Sequence, residues 1–309
     1  MAITPRNIHL IAPSGYCHNQ PAARLGVERL RGWGHQVENT AVIERRDRRF
    51  AGNDDTRLAD INQLAGMGKL PDIVLAVRGG YGASRLLSGL NYAALGDRLR
   101  DAPLALCGHS DFTAIQLALL AQCGIKSFSA PMLASNFGSP TLSTFTLDRF
   151  WQALSSDRFT LDWQTGVDTP PVNAAGTVWG GNLAMIASLV GTPWLPAIEG
   201  GILVIEDVNE HPFRTERMLL QLLHSGVLAR QCAIITGSFT GTTSSDYDAG
   251  YDFPDVWQLI RDLTGLPVVS GLAFGHAADT VTLPLGAHGS LSVSGGRAAL
   301  TLSDYPQLL

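Results

Sequence analysis

The sequence predicts an α/β protein: a parallel-sheet N-terminal α/β domain followed by a β-rich C-terminal domain. Three observations predict it. In the first half, short apolar runs alternate with amphipathic stretches of helix length, the pattern of a parallel sheet covered on both faces. In the middle the text turns to LDWQTGVDTPPVNAA, where Pro170-Pro171 can continue neither a helix nor a central strand. The end, TVTLPLGAHGSLSVSGGRAALTLSD, reads as several strands separated by glycine turns. The expected domains are residues 1–168 and 169–309.

The elements follow in order. IHLIAP is a strand, and PAARLGVERLRGWG a helix with Pro21 in its first turn and Gly34 at its stop. QVENTAVI is a strand and DDTRLADINQLAGMG a helix; IVLAV, LALC and SFSAP are further strands. In such sheets, sites form at the carboxyl ends of the strands. The second half gives a helix from Asn182, the strand GILVIE, the helix TERMLLQLLHSG, and the strands AIITGSF and PVVSGLAF.

With 309 residues, 45% of them hydrophobic and 16% charged, core-forming surface is plentiful. The formal charge is −5 and the lysines and arginines form no extended stripe, so neither nucleic acid nor an anionic membrane is an expected partner. MAITPRNIHLIAPSG lacks the features of a signal peptide. No apolar run approaches the roughly 20 residues that span a bilayer. A cytoplasmic location is the expectation. The four cysteines, Cys17, Cys107, Cys123 and Cys232, lie far apart without CxxC spacing, which suggests neither a disulfide framework nor a zinc site.

The sharpest local feature is LALCGHSDFTAIQLALLA. An apolar strand runs into Gly108-His109-Ser110-Asp111 and an apolar helix leaves at once, the context of a nucleophile elbow. Phe112 stands where the G-x-S-x-G pattern has its last glycine, and Ser110 or Asp111 would serve equally as a helix cap. A serine nucleophile needs a base held by a third group. Among eight histidines, His276 in GLAFGHAADT lies just beyond an apolar run. His109 adjoins the serine but points elsewhere, His211 lies in a helix-entry loop, and His224 lies late in a helix. Glu206, at the carboxyl end of GILVIE, is a candidate orienting carboxylate, with Asp207 and Glu210 as competitors. Ser110, Glu206 and His276 follow the chain order of α/β-hydrolase triads. An oxyanion hole would use the backbone amide of Asp111 and one from Gly79-Gly80 in LAVRGGYGASRLL, a segment equally readable as a tight turn. That loop lacks the Lys-Ser/Thr of a P-loop.

Taken together, LIAPSGYC, VLAVRGGYGASRLL, CGHSDFTAIQ, WGGNLAM, EDVNEHPFR, ERMLLQLLHSG, DYDAGYD and FGH…TVTLPLGAH resemble the LD-carboxypeptidase (muramoyltetrapeptide carboxypeptidase) family of serine peptidases over nearly the whole chain. The resemblance implies an N-terminal domain of class I glutaminase-like (flavodoxin-like) type, Ser110 as nucleophile, Glu206 and His276 as the rest of the triad, and the amides of Gly80 and Asp111 as the oxyanion hole. It implies a murein tetrapeptide substrate that loses its terminal D-alanine, no metal or organic cofactor, and a homodimer. Arg78 is a candidate for binding the terminal carboxylate, or a member of a structural ion pair. Trp179 is a candidate wall for substrate, or a core tryptophan. The DYDAGYD segment has no role readable from its residues. Three rivals remain: a relative that inactivates peptide-nucleotide antibiotics, a metal hydrolase using Glu206, Asp207, Glu210 and His211, and a non-enzymatic small-ligand binder.

Overall fold

The computed structural model describes residues 4–166, 169–243 and 245–308, so the expected boundary at residue 168 lies outside the described residues. The first half contains β1 (Asn7–Ile11), α1 (Gln20–Gly32), β2 (Gln36–Glu38), α2 (Asp54–Asn62), β3 (Ile73–Ala76), α3 (Tyr92–Leu99), β4 (Ala105–Gly108), α4 (Thr113–Cys123), β5 (Ser127–Ser129) and α5 (Thr144–Ser155). Then come β6 (Arg158–Gln164), β7 (Val172–Asn182), α6 (Leu183–Ser188), β8 (Gly201–Val208), α7 (Pro212–His224), β9 (Gln231–Thr240), α8 (Phe253–Thr264), β10 (Val268–Ser270), β11 (Leu283–Leu285), β12 (His288–Ser294) and β13 (Arg297–Ser303).

The first sheet has the order β11-β5-β4-β3-β1-β2, parallel except at its β11 edge. The second has the order β10-β9-β8-β7-β12-β13-β6. Its β10-to-β7 part is parallel and its β7-to-β6 part antiparallel. A parallel-sheet α/β unit is thus followed by a β-rich one. The sheets also exchange strands: β6 precedes the Pro170-Pro171 pair yet joins the second sheet, and β11 returns to pair with β5.

Local chemistry explains the main elements. Asn19 caps α1 by accepting from the Ala22 amide at 3.2 Å, and Gly34 beyond its end takes a φ of +94°. α4 buries every residue from Thr113 to Leu119, as an element apolar on all sides must. Its neighbours come from both sheets: Ile115 and Leu117 share a core with Trp179, Ile205 and Leu219.

Two expected strands are shorter than their apolar runs. QVENTAVI pairs only at Gln36–Glu38. Asn39 then adopts a φ of +57°, its side chain donates to the Leu10 carbonyl at 2.8 Å, and Thr40–Ile43 forms a 3-10 turn. PVVSGLAF pairs only at Val268–Ser270. Gly271 turns away with a φ of +97°, at a point where a Cβ would sit 2.6 Å from the Gln164 carbonyl oxygen. Among the described residues, no helix is long and apolar enough to cross a membrane.

Candidate active site

β4 delivers the serine. Its last residue, Gly108, has no room for a Cβ, which would lie 2.5 Å from the Phe112 ring and 3.0 Å from Ala76 Cβ. The departure from the G-x-S-x-G pattern is therefore compensated: Phe112 folds back into the space that Gly108 leaves. Ser110 itself has a φ of +63°. A left-handed non-glycine residue costs on the order of 1–3 kcal/mol, and the buried turn around it maintains that geometry.

The loop after β3 lies directly against this turn. A Cβ on Gly79 would be 2.8 Å from Ser110 Cβ, 3.0 Å from its Oγ and 3.4 Å from the Asp111 amide nitrogen. Gly80 follows with a φ of +96°. Two buried charged groups brace the loop. The Asp111 carboxylate accepts from the Ala83 amide at 2.8 Å. Arg57, fully buried, donates to the carbonyls of Gly82 at 2.9 Å and Pro13 at 2.5 Å. Burial pushes the Asp111 carboxyl up, against the opposing pull of the Ser14 hydroxyl and the Ala83 and Gly82 amides.

The other half of the site comes from the second sheet. Glu206, near the carboxyl end of β8, is 1% exposed. His276 sits in the irregular segment after β10. Its Nδ1 lies 2.7 Å from Glu206 Oε2 and its Nε2 lies 3.0 Å from Ser110 Oγ. Gly275 makes the approach possible: with a φ of +132°, it brings the chain so close that a Cβ would be 2.8 Å from Glu206 Oε2. Burial alone would depress the His276 imidazole. The hydrogen bond and charge of Glu206, with the charge of Asp207, outweigh it and raise the group above its ordinary value.

Asn182 and the Asp111 carboxylate were not singled out by the sequence reading. At the end of β7, Asn182 Nδ2 donates to Glu206 Oε1 at 3.3 Å and Asp207 Oδ1 at 2.8 Å, while its amide donates to Thr113 Oγ1 at 3.2 Å. Gly181, with a φ of +124°, allows this contact, since a Cβ there would meet Thr113 Oγ1 at 2.7 Å. WGGN therefore fastens the carboxylate pair to the first turn of the serine's helix. A polar residue closing an apolar strand run behind two glycines was the available signal. Asp207 also accepts from the Ala184 amide at 2.8 Å, and burial raises its carboxyl to about 6.

Several other candidates are resolved by position. Trp179 is fully buried and donates its indole N–H to Gln231 at 2.8 Å, so it is a core residue and forms no wall for substrate. Arg78 lines the cleft, with its Nη1 donating to the Tyr16 carbonyl at 2.9 Å. His109 packs edge-on against His276 at 5.0 Å between ring centroids, and burial pushes it down to about 3, leaving it neutral. Glu210 pairs with Arg214 and His211 stacks on Phe213 at 5.4 Å. Among the described residues, no group of three or more His, Cys, Asp and Glu side chains is placed to hold a metal ion. The DYDAGYD segment has a structural role: Asp252 and Asp255 form a capping box that starts α8, and Tyr251 bonds Glu216 on α7.

A cleft of about 360 Å³ opens over Ser110 and His276, lined among others by Cys17, Arg78, Gly80, Asn136, Ser143 and Ala277. This is a small-ligand dimension. The arrangement has the parts needed for nucleophilic catalysis: a hydroxyl in line with an imidazole, a buried carboxylate behind it, and glycine backbone beside it.

Comparison with known proteins gives a consistent result. Residues 8–130 match the family model of the LD-carboxypeptidase N-terminal domain, and residues 175–291 match that of the LD-carboxypeptidase C-terminal domain. The crystal structure of a muramoyltetrapeptide carboxypeptidase from Oxalobacter formigenes superposes with a TM-score of 0.90 at 42% identity, over 97% of this chain and 100% of that one. A murein tetrapeptide carboxypeptidase of Pseudomonas aeruginosa is 32% identical over 86% of this chain and 89% of its own length. A microcin self-immunity protein of Escherichia coli is 27% identical over 84% of this chain and 82% of its own.

Proposed function

The chain belongs to the LD-carboxypeptidase family of serine peptidases, and from that premise we propose that it removes the terminal D-alanine from murein tetrapeptides by a Ser110–His276–Glu206 acyl-enzyme mechanism. The observation that carries the proposal is the contact chain from Ser110 Oγ to His276 Nε2 at 3.0 Å and from His276 Nδ1 to Glu206 at 2.7 Å. It is assembled from three segments far apart in sequence.

His276 takes the proton of Ser110 as the hydroxyl attacks the carbonyl on the L-centre side of the scissile amide, which belongs to meso-diaminopimelate or L-lysine. Glu206 holds the imidazole in the required tautomer and stabilises its protonated form. The oxyanion is received by the backbone amides of Gly80 and Asp111, on the two segments that Gly79 allows to touch. His276 then protonates the departing D-alanine amine, and a water hydrolyses the ester by the reverse sequence. No step requires a metal or an organic cofactor. Arg78, fixed at one nitrogen by Tyr16, binds the terminal carboxylate that defines an exopeptidase substrate.

The tripeptide product suits recycling of cell-wall fragments in the cytoplasm, and the family resemblance supports a homodimer. The microcin-immunity relative supplies the competing substrate class.

The test is D-alanine release from disaccharide tetrapeptide by wild type, Ser110→Ala and Arg78→Ala, with EDTA present. Wild type should release D-alanine, and Ser110→Ala should lose at least about 10⁴-fold in kcat. Arg78→Ala should act mainly through KM. Equal release by wild type and Ser110→Ala would refute the nucleophile. Turnover of an aminoacyl nucleotide in place of tetrapeptide would move the protein to the rival branch.

A further inference from the structure

The run Arg45-Arg46-Asp47-Arg48-Arg49 is a local exception to the chain's negative balance. It forms a tight turn: Asp47 and Phe50 exchange both backbone hydrogen bonds at 2.9 Å, and Arg48 takes a φ of +54°. Arg45 is occupied by the buried carboxylate of Asp60. Arg46, Arg48 and Arg49 are exposed, and among the described residues none has a carboxylate within ion-pair distance. Against these three guanidiniums the turn itself sets one acid, Asp47.

Two of the three are held in place by aromatic rings. The Arg46 guanidinium lies 4.1 Å above the Tyr16 ring, and that of Arg49 lies 5.5 Å above the Tyr81 ring. Such stacking orders a long side chain without neutralising it, which lowers the entropy lost when an anion binds. Both rings belong to segments that carry lining residues of the cleft. The Tyr16 amide donates to the Arg49 carbonyl at 3.0 Å, the Tyr16 carbonyl accepts from Arg78 at 2.9 Å, and Cys17 beyond it lines the cleft. Tyr81 directly follows Gly80, another lining residue. Each ring that carries exposed charge is thus the chain neighbour of a lining residue, Cys17 or Gly80, and among the described residues Arg78 is the one arginine that lines the cleft.

We infer that Arg46 and Arg49, held on Tyr16 and Tyr81, form an outer recognition site that draws in the free terminal carboxylate of the substrate and, with Arg78, stabilises it in the bound complex. The inference rests on the carboxypeptidase reading above and deepens it. Selection for a free C-terminus would then begin at the mouth of the cleft, where cations concentrate anionic substrates even in a protein of net charge −5. Because these groups are exposed, the effect must be screened by salt.

Calorimetric titration separates this from the reading it rests on. Tetrapeptide is titrated into Ser110→Ala, into the same protein carrying Arg46→Ala and Arg49→Ala, and into the same protein carrying Lys69→Ala, an exposed cation elsewhere. At low salt, the two arginine changes should weaken binding by about 5–10-fold, and at about 0.5 M salt the gap should close to less than about twofold. Lys69→Ala should bind like its parent. A second peptide, amidated at every carboxylate except the terminal one, should show the same dependence on the two arginines. The inference is overturned if the arginine changes have no effect, if Lys69→Ala weakens binding equally, or if the effect disappears with the amidated peptide. Turnover by wild type is measured separately, so a silent enzyme that still binds through the arginines would sink the carboxypeptidase reading and not the outer site.

Discussion

Around Ser110 the backbone does the positioning. Gly79, Gly108 and the left-handed serine bring two chain segments within van der Waals contact, with no space for an added methyl group at either glycine. Around His276 the side chains do it. Glu206, Asp207 and Asn182 form a buried hydrogen-bonded set, and the imidazole is held at the end of a loop by a 2.7 Å bond to Glu206. The first region fixes where atoms are. The second fixes where a proton is. A steric change should therefore damage the serine half through transition-state geometry, and an isosteric charge change should damage the histidine half through tautomer and pH dependence.

The largest effect that tests this contrast is Glu206→Gln. The amide keeps the shape of the carboxylate but can present its N–H to the imidazole and favour the wrong tautomer. By analogy with the buried aspartate of other serine triads, kcat should fall by about 10³–10⁴-fold with thermal stability little changed. A loss below tenfold would mean that Glu206 serves only as packing. Gly79→Ala should come next, at about 10²–10³-fold in kcat with little change in KM, the magnitude of a lost oxyanion donor. The new Cβ would have to lie 2.8 Å from Ser110 Cβ, so serine and loop must separate. Circular dichroism and a melting curve distinguish this from unfolding. A folded, fully active Gly79→Ala protein would show that the close approach is dispensable.

The same contrast explains how much the sequence disclosed. The serine half is local: an apolar strand, a short turn and an apolar helix stand consecutively in LALCGHSDFTAIQ, and the strand-end rule places the glycine pair nearby. The α/β class and the β-rich second part were legible for the same reason, because periodicity is a property of neighbouring residues. The histidine half is non-local. Nothing in GLAFGHAADT reveals that Gly271 ends the strand early and that Gly275 lets the loop descend onto Glu206. Those facts depend on where Gln164 and β8 lie. Grouping His276 with Glu206 came from resemblance, and Asn182 escaped notice because its two acceptors follow it by more than twenty positions. Trp179 shows the opposite limit. Beside two glycines it was open to both readings, substrate wall or core, and only the place of β7 at the centre of its sheet decides for the core.

The smallest predicted effect, on pH dependence, discriminates most finely between the two halves. His276 must be neutral to accept the serine proton, so kcat/KM should rise with pH as the imidazole loses its proton. Burial opposes the charged form, but Glu206 and Asp207 favour it more strongly and raise the group. The acidic limb should therefore lie above the ordinary histidine value of about 6.5. Asp207, raised to about 6 by burial, titrates just below that limb, so the observed midpoint belongs to the coupled set. Asp207→Asn removes one negative charge near the imidazole without touching Ser110. The protonated form loses support, and the limb should move to lower pH, while kcat on the plateau changes by less than about threefold. The linked stability has the same sign: the contribution of a raised His276 is present below the unfolded value and is lost as pH rises through the folded one. Gly79→Ala should lower the whole profile and leave its midpoint alone. If Asp207→Asn lowered the plateau without shifting the limb, the carboxylate pair would be acting on geometry too, and the division between a steric half and an electrostatic half would fail.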